Sequence, residues 1–365
     1  MHQLRFYCIQ YFLFATQLFV FIKVDALSST TSAFNNQIDT NIRCHDDRAP
    51  VKVWDNTLRP ETVSILHNQA SQRGLGHSIF KRSSDRSILS PIEQTLDNLL
   101  TSLNDTSPIV EYWSRQEWRH IEAHADIDEL LVRDQQKQQT PMNDLTFRFP
   151  KNGHVLYLQV GSSVQGPTCL FPKCHFGSDL LGKTDDKNDN NEVSVITVPA
   201  VPSRLLRFQG DLLHAVPRPA DLWFRKFVVG TGETEPEEEW GRSVILFNTW
   251  RDEDDGPLNV LPESINEETS VTDRTKLEAR SVEEWQEMPI HQHMSDKIMN
   301  PDSEDEECLN NEDEMDYSTA KVWLLGDYAR RNCQTRTVKL FAPESQMRKA
   351  LEDRSTVYET FLRTT

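Results

Sequence analysis

Positive charge is scarce in this chain: 39 Lys and Arg stand against 57 Asp and Glu, a formal net charge of −18. Phosphate-rich partners need a basic footprint, so a general surface that grips nucleic acid or an anionic membrane is excluded. An anionic small ligand would need a local cation. Cysteine is sparse too, and no pair has redox spacing: Cys169 and Cys174 flank Leu-Phe-Pro-Lys, with no second pair to complete a zinc knuckle. A metalloprotease zinc helix is also missing. In "WRHIEAHAD" (118–126) two histidines, His120 and His124, lie four apart, but position 121 is Ile and Glu122 comes one residue late. That motif needs its acid beside the first histidine, as general base. The run "PDSEDEECLNNEDEMD" (301–316) holds nine acids and no base, and its spacing matches no calcium-binding EF-hand loop.

What is present begins at the N-terminus. A short basic stretch with His2 and Arg5 leads into an apolar run from Phe6 to Ile22, broken only by Gln10, Thr16 and Gln17, and then Val24-Asp25-Ala26. Residues 1–26 therefore read as a secretory signal peptide or an uncleaved signal-anchor, with residues 6–22 as the membrane-anchoring segment in the second case. The expected location is the secretory pathway, in the ER or Golgi lumen or outside the cell. A plastid route through "TSAF" (31–34) is the weaker alternative, because Asp39, Asp46 and Asp47 follow too soon for an acid-poor transit segment. Removing Cys8 with the signal leaves Cys44, Cys169, Cys174, Cys308 and Cys333, enough for one or two disulfides in an oxidising lumen. Asn104-Asp105-Thr106 is then an N-glycosylation acceptor.

With 365 residues and 37% hydrophobic content the chain can bury a substantial core. "PETVSILHNQA" (60–70) reads as a helix opening on Pro. A second helix spans 90–103: Ser90-Pro91-Ile92-Glu93 combines an N-cap, Pro at the first position and Glu at the third. Ile92, Leu96, Leu99, Leu100 and Leu103 share one face. From about residue 110 short β-rich runs take over, at 154–160, 167–172, 193–199, 204–208, 242–250, 321–326 and 336–343. Many short strands at irregular spacing indicate a sandwich or jelly roll. Five regions follow: 1–26; an N-terminal helical flanking region, 27–109; a β core, 110–262; an acidic low-complexity insertion, 263–319, expected to stay solvated and disordered because it cannot bury enough apolar surface; and 320–365, strands completing the domain and a tail.

As a strand, the opening motif has other logic. Side chains alternate, so His124 and Asp126 would share a face, as a metal requires. His-x-acid alone means little, for it also occurs at His45 and His120. The surroundings decide. Beyond Asp126 and several strands comes His214 in "GDLLHAVPRP", and then Arg242, which opens a strand.

His124-x-Asp126, His214 and Arg242, in that order along a β series, resemble the sites of the Fe(II)/2-oxoglutarate-dependent dioxygenases, in particular the prolyl 4-hydroxylase-like branch. "VLYLQVGSSVQGPTCLFP" (155–172), "PSRLLRFQGDLLHAV" (202–216) and "GRSVILFNTW" (241–250) are similar to segments of that branch. The resemblance spans about residues 110–250. It implies a double-stranded β-helix (jelly roll, cupin-like) with N-terminal flanking helices, and a dioxygenase core within 110–262. His124, Asp126 and His214 would be the catalytic iron ligands, and Arg242 and Tyr157 would bind the cosubstrate. Arg242 is preferred over Arg218 and Arg225 because it begins a strand. The implied cofactors are Fe(II), 2-oxoglutarate and O2, with ascorbate as an optional reductant. The implied reaction hydroxylates a C–H bond of a protein, peptide or small molecule and releases succinate and CO2; peptidyl-proline is the branch's own substrate. A nucleic-acid substrate is not expected.

The chemistry suits those residue types. Two imidazoles and a carboxylate on one face of a ferrous ion leave three positions, two for a chelating 2-oxo acid and one for dioxygen. The far carboxylate needs a rigid cationic fork, which guanidinium supplies. Thr168 and Trp250 read as packing residues, as do Tyr112, Trp113 and Trp118, which could otherwise form a pocket wall. His120 and Glu122 receive no role. The alternatives are a catalytically inactive jelly-roll binding module and a cupin-type metalloenzyme that does not use 2-oxoglutarate.

Overall fold

The computed structural model describes residues 50–73, 76–82, 89–116, 121–141, 144–161, 166–175, 192–216, 242–251, 277, 279–292, 318–322, 336–340 and 354–364. In chain order the elements are β1 (Val51–Asp55), α1 (Pro60–Gln72), β2 (Ser78–Lys81), α2 (Pro91–Ser102), β3 (Ile109–Arg115), β4 (Ile121–His124) and α3 (Glu129–Lys137). Then come β5 (Asn152–Val160), β6 (Thr168–His175), β7 (Glu192–Val198), β8 (Leu205–Gln209), β9 (Leu212–Val216) and β10 (Arg242–Trp250). The rest are β11 (Gln286–Glu287), β12 (Ile290–Gln292), β13 (Ser318–Val322), β14 (Arg336–Leu340) and β15 (Val357–Thr364).

Two sheets face each other. The first runs β11-β1-β8-β5-β10-β3-β2, and the second runs β13-β14-β15-β7-β6-β9-β4, with β12 beside β15. From β3 to β10 the chain keeps crossing between them, so that β3, β10, β5 and β8 are neighbours in one sheet and β4, β9, β6 and β7 in the other. That wound, antiparallel arrangement is a double-stranded β-helix, the jelly roll expected from the sequence.

The first sheet is buried on both faces, which explains why β5 and β10 read as nearly continuous apolar runs. One face carries Leu156, Leu158, Ile245 and Phe247 and packs on Leu66 and Ala70 of α1 and on Ile92, Leu96, Leu99 and Leu100 of α2. The other carries Val155, Tyr157, Leu206, Phe208 and Val244 and meets Leu170, Ile196, Val198 and Leu212 of the second sheet. Each fully buried side chain of this size contributes about 1.5–3 kcal/mol of transfer free energy. Helix α2 starts where the sequence places it: the Ser90 hydroxyl accepts from Glu93 N (3.3 Å), and the Glu93 carboxylate accepts from Ser90 N (2.8 Å).

Several boundaries differ from the sequence reading. The first sheet starts well before residue 110, because β1 pairs with β8 and β2 pairs with β3. Arg204 locks that arrangement: its buried guanidinium forks onto Asp55 at 2.6 and 2.8 Å and also donates to the carbonyls of Pro199 and Arg354. Part of the 263–319 stretch is folded rather than solvated. Leu277, Trp285 and Met288 are buried, Trp285 meets Trp54 edge-on at 6.2 Å, and β11 extends the first sheet beside β1. The acid-rich run 301–316 lies outside the described residues, as do the signal or anchor segment 1–26 and most of the expected strand 321–326. Among the described residues no helix is long and apolar enough to cross a membrane. Cys169 is buried with a free thiol. The other cysteines' side chains, and so the expected disulfides, fall outside the described residues.

Candidate metal centre

The β4–β9 pairing puts two histidines opposite each other. The register joins Ile121 to Val216 and His124 to His214, with an irregularity between. Cross-strand partners point to the same face, and the two imidazole centroids lie 4.3 Å apart. Asp126 follows just past the end of β4. Its Oδ1 is 3.7 Å from His124 Nε2 and 3.9 Å from His214 Nε2, and all three ligand atoms fall within 4.8 Å of one another. Atoms sharing a first-row divalent ion at about 2.1 Å each lie roughly 3–4 Å apart, and the two separations from Asp126 fall in that range.

Surrounding contacts prepare the donors. His214 Nδ1 lies 3.2 Å from the Leu212 carbonyl and can only donate to it, which leaves the Nε2 lone pair facing Asp126 and His124. Burial, and then the neighbouring His124, depress the His214 pKa to about 4, against the opposing pull of Asp126 and Leu212, so the ring is neutral near pH 7. Two residues past Asp126, the buried Asp128 fixes the turn: it accepts from Leu131 N (3.0 Å) to cap α3, meets Arg148 Nη2 at 2.6 Å, and donates its own N–H to the Arg148 carbonyl.

Deeper between the sheets lies a cation. Arg242 opens β10, next to a bulge between Ser243 and Val244 against β5. It is only 4% exposed, yet among the described residues no carboxylate pairs with it. Its Nη2 donates to Thr168 Oγ1 (3.2 Å), its guanidinium carbon sits 5.2 Å from the Tyr157 ring centroid, and its Nε has no hydrogen-bond partner. The Tyr157 hydroxyl is 2.7 Å from the same Thr168 oxygen. Burial pushes the guanidinium pKa below its ordinary value, opposed by Tyr157. A buried, uncompensated cation with two hydroxyls beside it has the makings of a carboxylate cradle. Strand β6 links it to the histidines: Leu170 is His214's register partner, and Thr168 is two residues along the same face, roughly 7 Å away. That is the length scale of a five-carbon dicarboxylate.

The structure thus brings His124, Asp126 and His214 to one point and places Arg242 and Tyr157 together beside them. Thr168, read from sequence as packing, sits between Tyr157 and Arg242 instead. Its position on the inward face of β6 could have been inferred from alternation with Leu170, but its two partners could not. Tyr112 faces the helices rather than a pocket between the sheets. Tyr112 donates to Glu93 (3.1 Å) in the helix-side core, and Trp113 stacks on His77 at 4.4 Å. Trp250 is buried, as expected of a packing residue. His120, Trp118, Arg218, Arg225 and the Glu122 side chain lie outside the described residues.

No family model matches the chain, and no curated protein matches it. Among solved structures it is similar to a prolyl-4-hydroxylase from Pseudomonas putida, at 13% identity over 56% of this chain and 90% of the other, with a TM-score of 0.31. It is also similar to HygX from Streptomyces hygroscopicus with nickel and 2-oxoglutarate bound (14% identity, 56% and 84%, TM-score 0.31). A third is the viral collagen prolyl hydroxylase of Paramecium bursaria Chlorella virus-1 (14%, 62% and 95%, TM-score 0.29). Likeness at this level carries no weight for chemistry or substrate, which rest on the site's own geometry.

Proposed function

We propose that the protein is an Fe(II)- and 2-oxoglutarate-dependent dioxygenase that hydroxylates a C–H bond of a protein, peptide or small-molecule substrate. One observation carries the reading: a His-Asp-His cluster shares the inside of a jelly roll with a buried guanidinium that has no counter-ion among the described residues. A jelly roll without an anionic ligand would have no reason to keep a buried charge that costs several kcal/mol. A metal-only cupin would not need Arg242 at all.

His124, Asp126 and His214 would hold the metal, and Asp126 would offset one of its charges. When bound, the ferrous ion supplies the redox chemistry that couples decarboxylation of 2-oxoglutarate to oxygen insertion into the substrate, yielding succinate and CO2. The protein's own residues position and shield. Arg242 binds the distal carboxylate of 2-oxoglutarate through its free N–H groups, and the Tyr157 and Thr168 hydroxyls orient that carboxylate. The Leu212 carbonyl holds the proton on His214 Nδ1, so that Nε2 remains the ligand atom. The apolar pair Phe208 and Leu170 keeps water from the His214 side. Peptidyl-proline is one candidate substrate, ascorbate an accessory reductant, and the N-terminal apolar run supports a route through the secretory pathway.

The test is anaerobic addition of Fe(II) and 2-oxoglutarate to the purified protein, watched for the weak visible charge-transfer band of the chelate. Wild type should develop it; His124→Ala and Asp126→Ala should not. A wild type without the band, or variants that retain it, would refute the assignment. Succinate release on admitting oxygen then separates a working enzyme from a binding module.

A further inference from the structure

We propose that Gly153 and Phe208 act as a positioning pair for His214: Phe208 is a wall that sets the plane of the imidazole, and Gly153 is the vacancy that lets the wall stand there. The inference deepens the metal-site reading and rests on it.

The hydrogen bond from Nδ1 to the Leu212 carbonyl fixes the His214 tautomer, but its acceptor is a backbone group only two residues away. One such contact leaves the ring free to rock about the bond that carries it. A ligand nitrogen must be held to within about 0.5 Å and 10–20° of its working geometry, so a second constraint is needed. On one side His124 supplies part of it, with centroids 4.3 Å apart and planes tilted by 47°. Phe208 supplies the rest, its ring centroid 4.6 Å from that of His214 and tilted by 49°.

Phe208 reaches that position across Gly153. The two residues are register partners in the β5–β8 pair and point into the space between the sheets. A Cβ added to Gly153 would fall 2.6 Å from both Cε2 and Cζ of the Phe208 ring, closer than real carbon contacts allow. Glycine is costly inside a strand, for it loses more conformational freedom on folding than any other residue and has no side chain to pack. The flanking residues Asn152, His154, Val155, Leu156 and Tyr157 are all buried, so nothing about the strand itself asks for a glycine. Close approach of the ring does. Any side chain at position 153 would push the Phe208 ring toward His214 or off it, and the ligand nitrogen would lose its aim.

The experiment compares wild type, Gly153→Ala, Phe208→Leu and the double variant, full-length in each case. Co(II) affinity in the presence of 2-oxoglutarate is read from the visible bands of the bound ion, and thermal midpoints are recorded alongside. Supporting contacts around a metal ligand are typically worth 10- to 100-fold in affinity. Gly153→Ala should therefore weaken Co(II) binding by about tenfold. The smaller leucine vacates the space, so adding Gly153→Ala to Phe208→Leu should weaken binding by less than about twofold, the signature of two residues acting through one contact. An alanine variant that binds Co(II) like wild type overturns the proposal, whatever its thermal midpoint. So does an equal loss of affinity in both backgrounds. A metal-free readout separates this idea from the functional reading. With histidine-selective 13C labels, the His214 Cε1–H resonance feels the Phe208 ring and should move in both single variants. If wild type binds no Co(II), the functional reading fails, and an unmoved His214 resonance then overturns the positioning pair as well.

Discussion

Replacing Arg242 with methionine should weaken ligand binding and stabilise the ligand-free protein at the same time. The guanidinium is 4% exposed, has one hydrogen bond to Thr168 and no carboxylate partner among the described residues. Its charge is thus desolvated without compensation, and an apolar side chain of similar length removes that cost. Exchanges of buried charges for hydrophobes are often worth on the order of 1–3 kcal/mol in stability. For a domain of this size that corresponds to a rise in Tm of several degrees, at about 2–4 °C per kcal/mol. Binding should change in the opposite sense. Losing one partner of a buried charge pair costs about 2–5 kcal/mol, so the Kd for 2-oxoglutarate should rise roughly 30-fold or more. The assay is thermal unfolding with Mn(II), with and without 2-oxoglutarate, for wild type, Arg242→Met and Arg242→Lys. Ligand at a hundred times Kd should stabilise wild type by about 2.7 kcal/mol and the methionine variant hardly at all. Lysine should fall between, keeping a charge without the fork. A methionine variant that is less stable than wild type and still gains the full ligand-induced shift would refute the carboxylate-cradle reasoning.

Two other perturbations test the scaffold. His154 is fully buried against Phe247, and burial depresses its pKa to about 3, with Asp105 opposing. The unfolded chain takes up that proton near pH 6.5, so stability is complete above 6.5 and falls as pH drops toward 3. The fall is at most about 5 kcal/mol for this group, and urea titrations across that window should show a shallower slope in His154→Leu. Asp128→Ala removes both the cap of α3 and the partner of Arg148, and should cost about 2–4 kcal/mol in unfolding free energy. It should also weaken Co(II) binding through the adjacent Asp126; unchanged affinity would show that the turn holds without it.

The parts of the fold legible in the sequence are those specified locally. The Ser90–Glu93 capping box, the apolar face of α2 and the dense runs of β5 and β10 announce themselves within a dozen residues. Strand β1 does not. Val51 and Val53 alternate correctly, but the strand's meaning comes from β8, some 150 residues away, and from Arg204 clasping Asp55. The segment around Trp285 is likewise submerged in an acidic stretch, and it folds back through partners far away in sequence: Trp54 against Trp285 and β1 beside β11. Helix α3 carried its own cap at Asp128 and could have been found. For the site, order along the chain was readable because the chemistry needs two imidazoles, a carboxylate and a cation. What could not be read is which small residues serve them: Thr168 gains its role from two side chains on other strands.

The position of β4 has one more consequence. Among the described residues it is the last strand of the second sheet, joined only to β9, and just two of its residue pairs are in register, with an irregularity between them. One of those pairs is His124 with His214. A metal held by both would therefore staple a terminal strand that backbone pairing alone secures thinly. Demetallation would then do more than silence the site. It would release an edge whose unpaired N–H and C=O groups invite the strand of another molecule, so that a metal-starved protein would be lost to self-association before it was lost to unfolding.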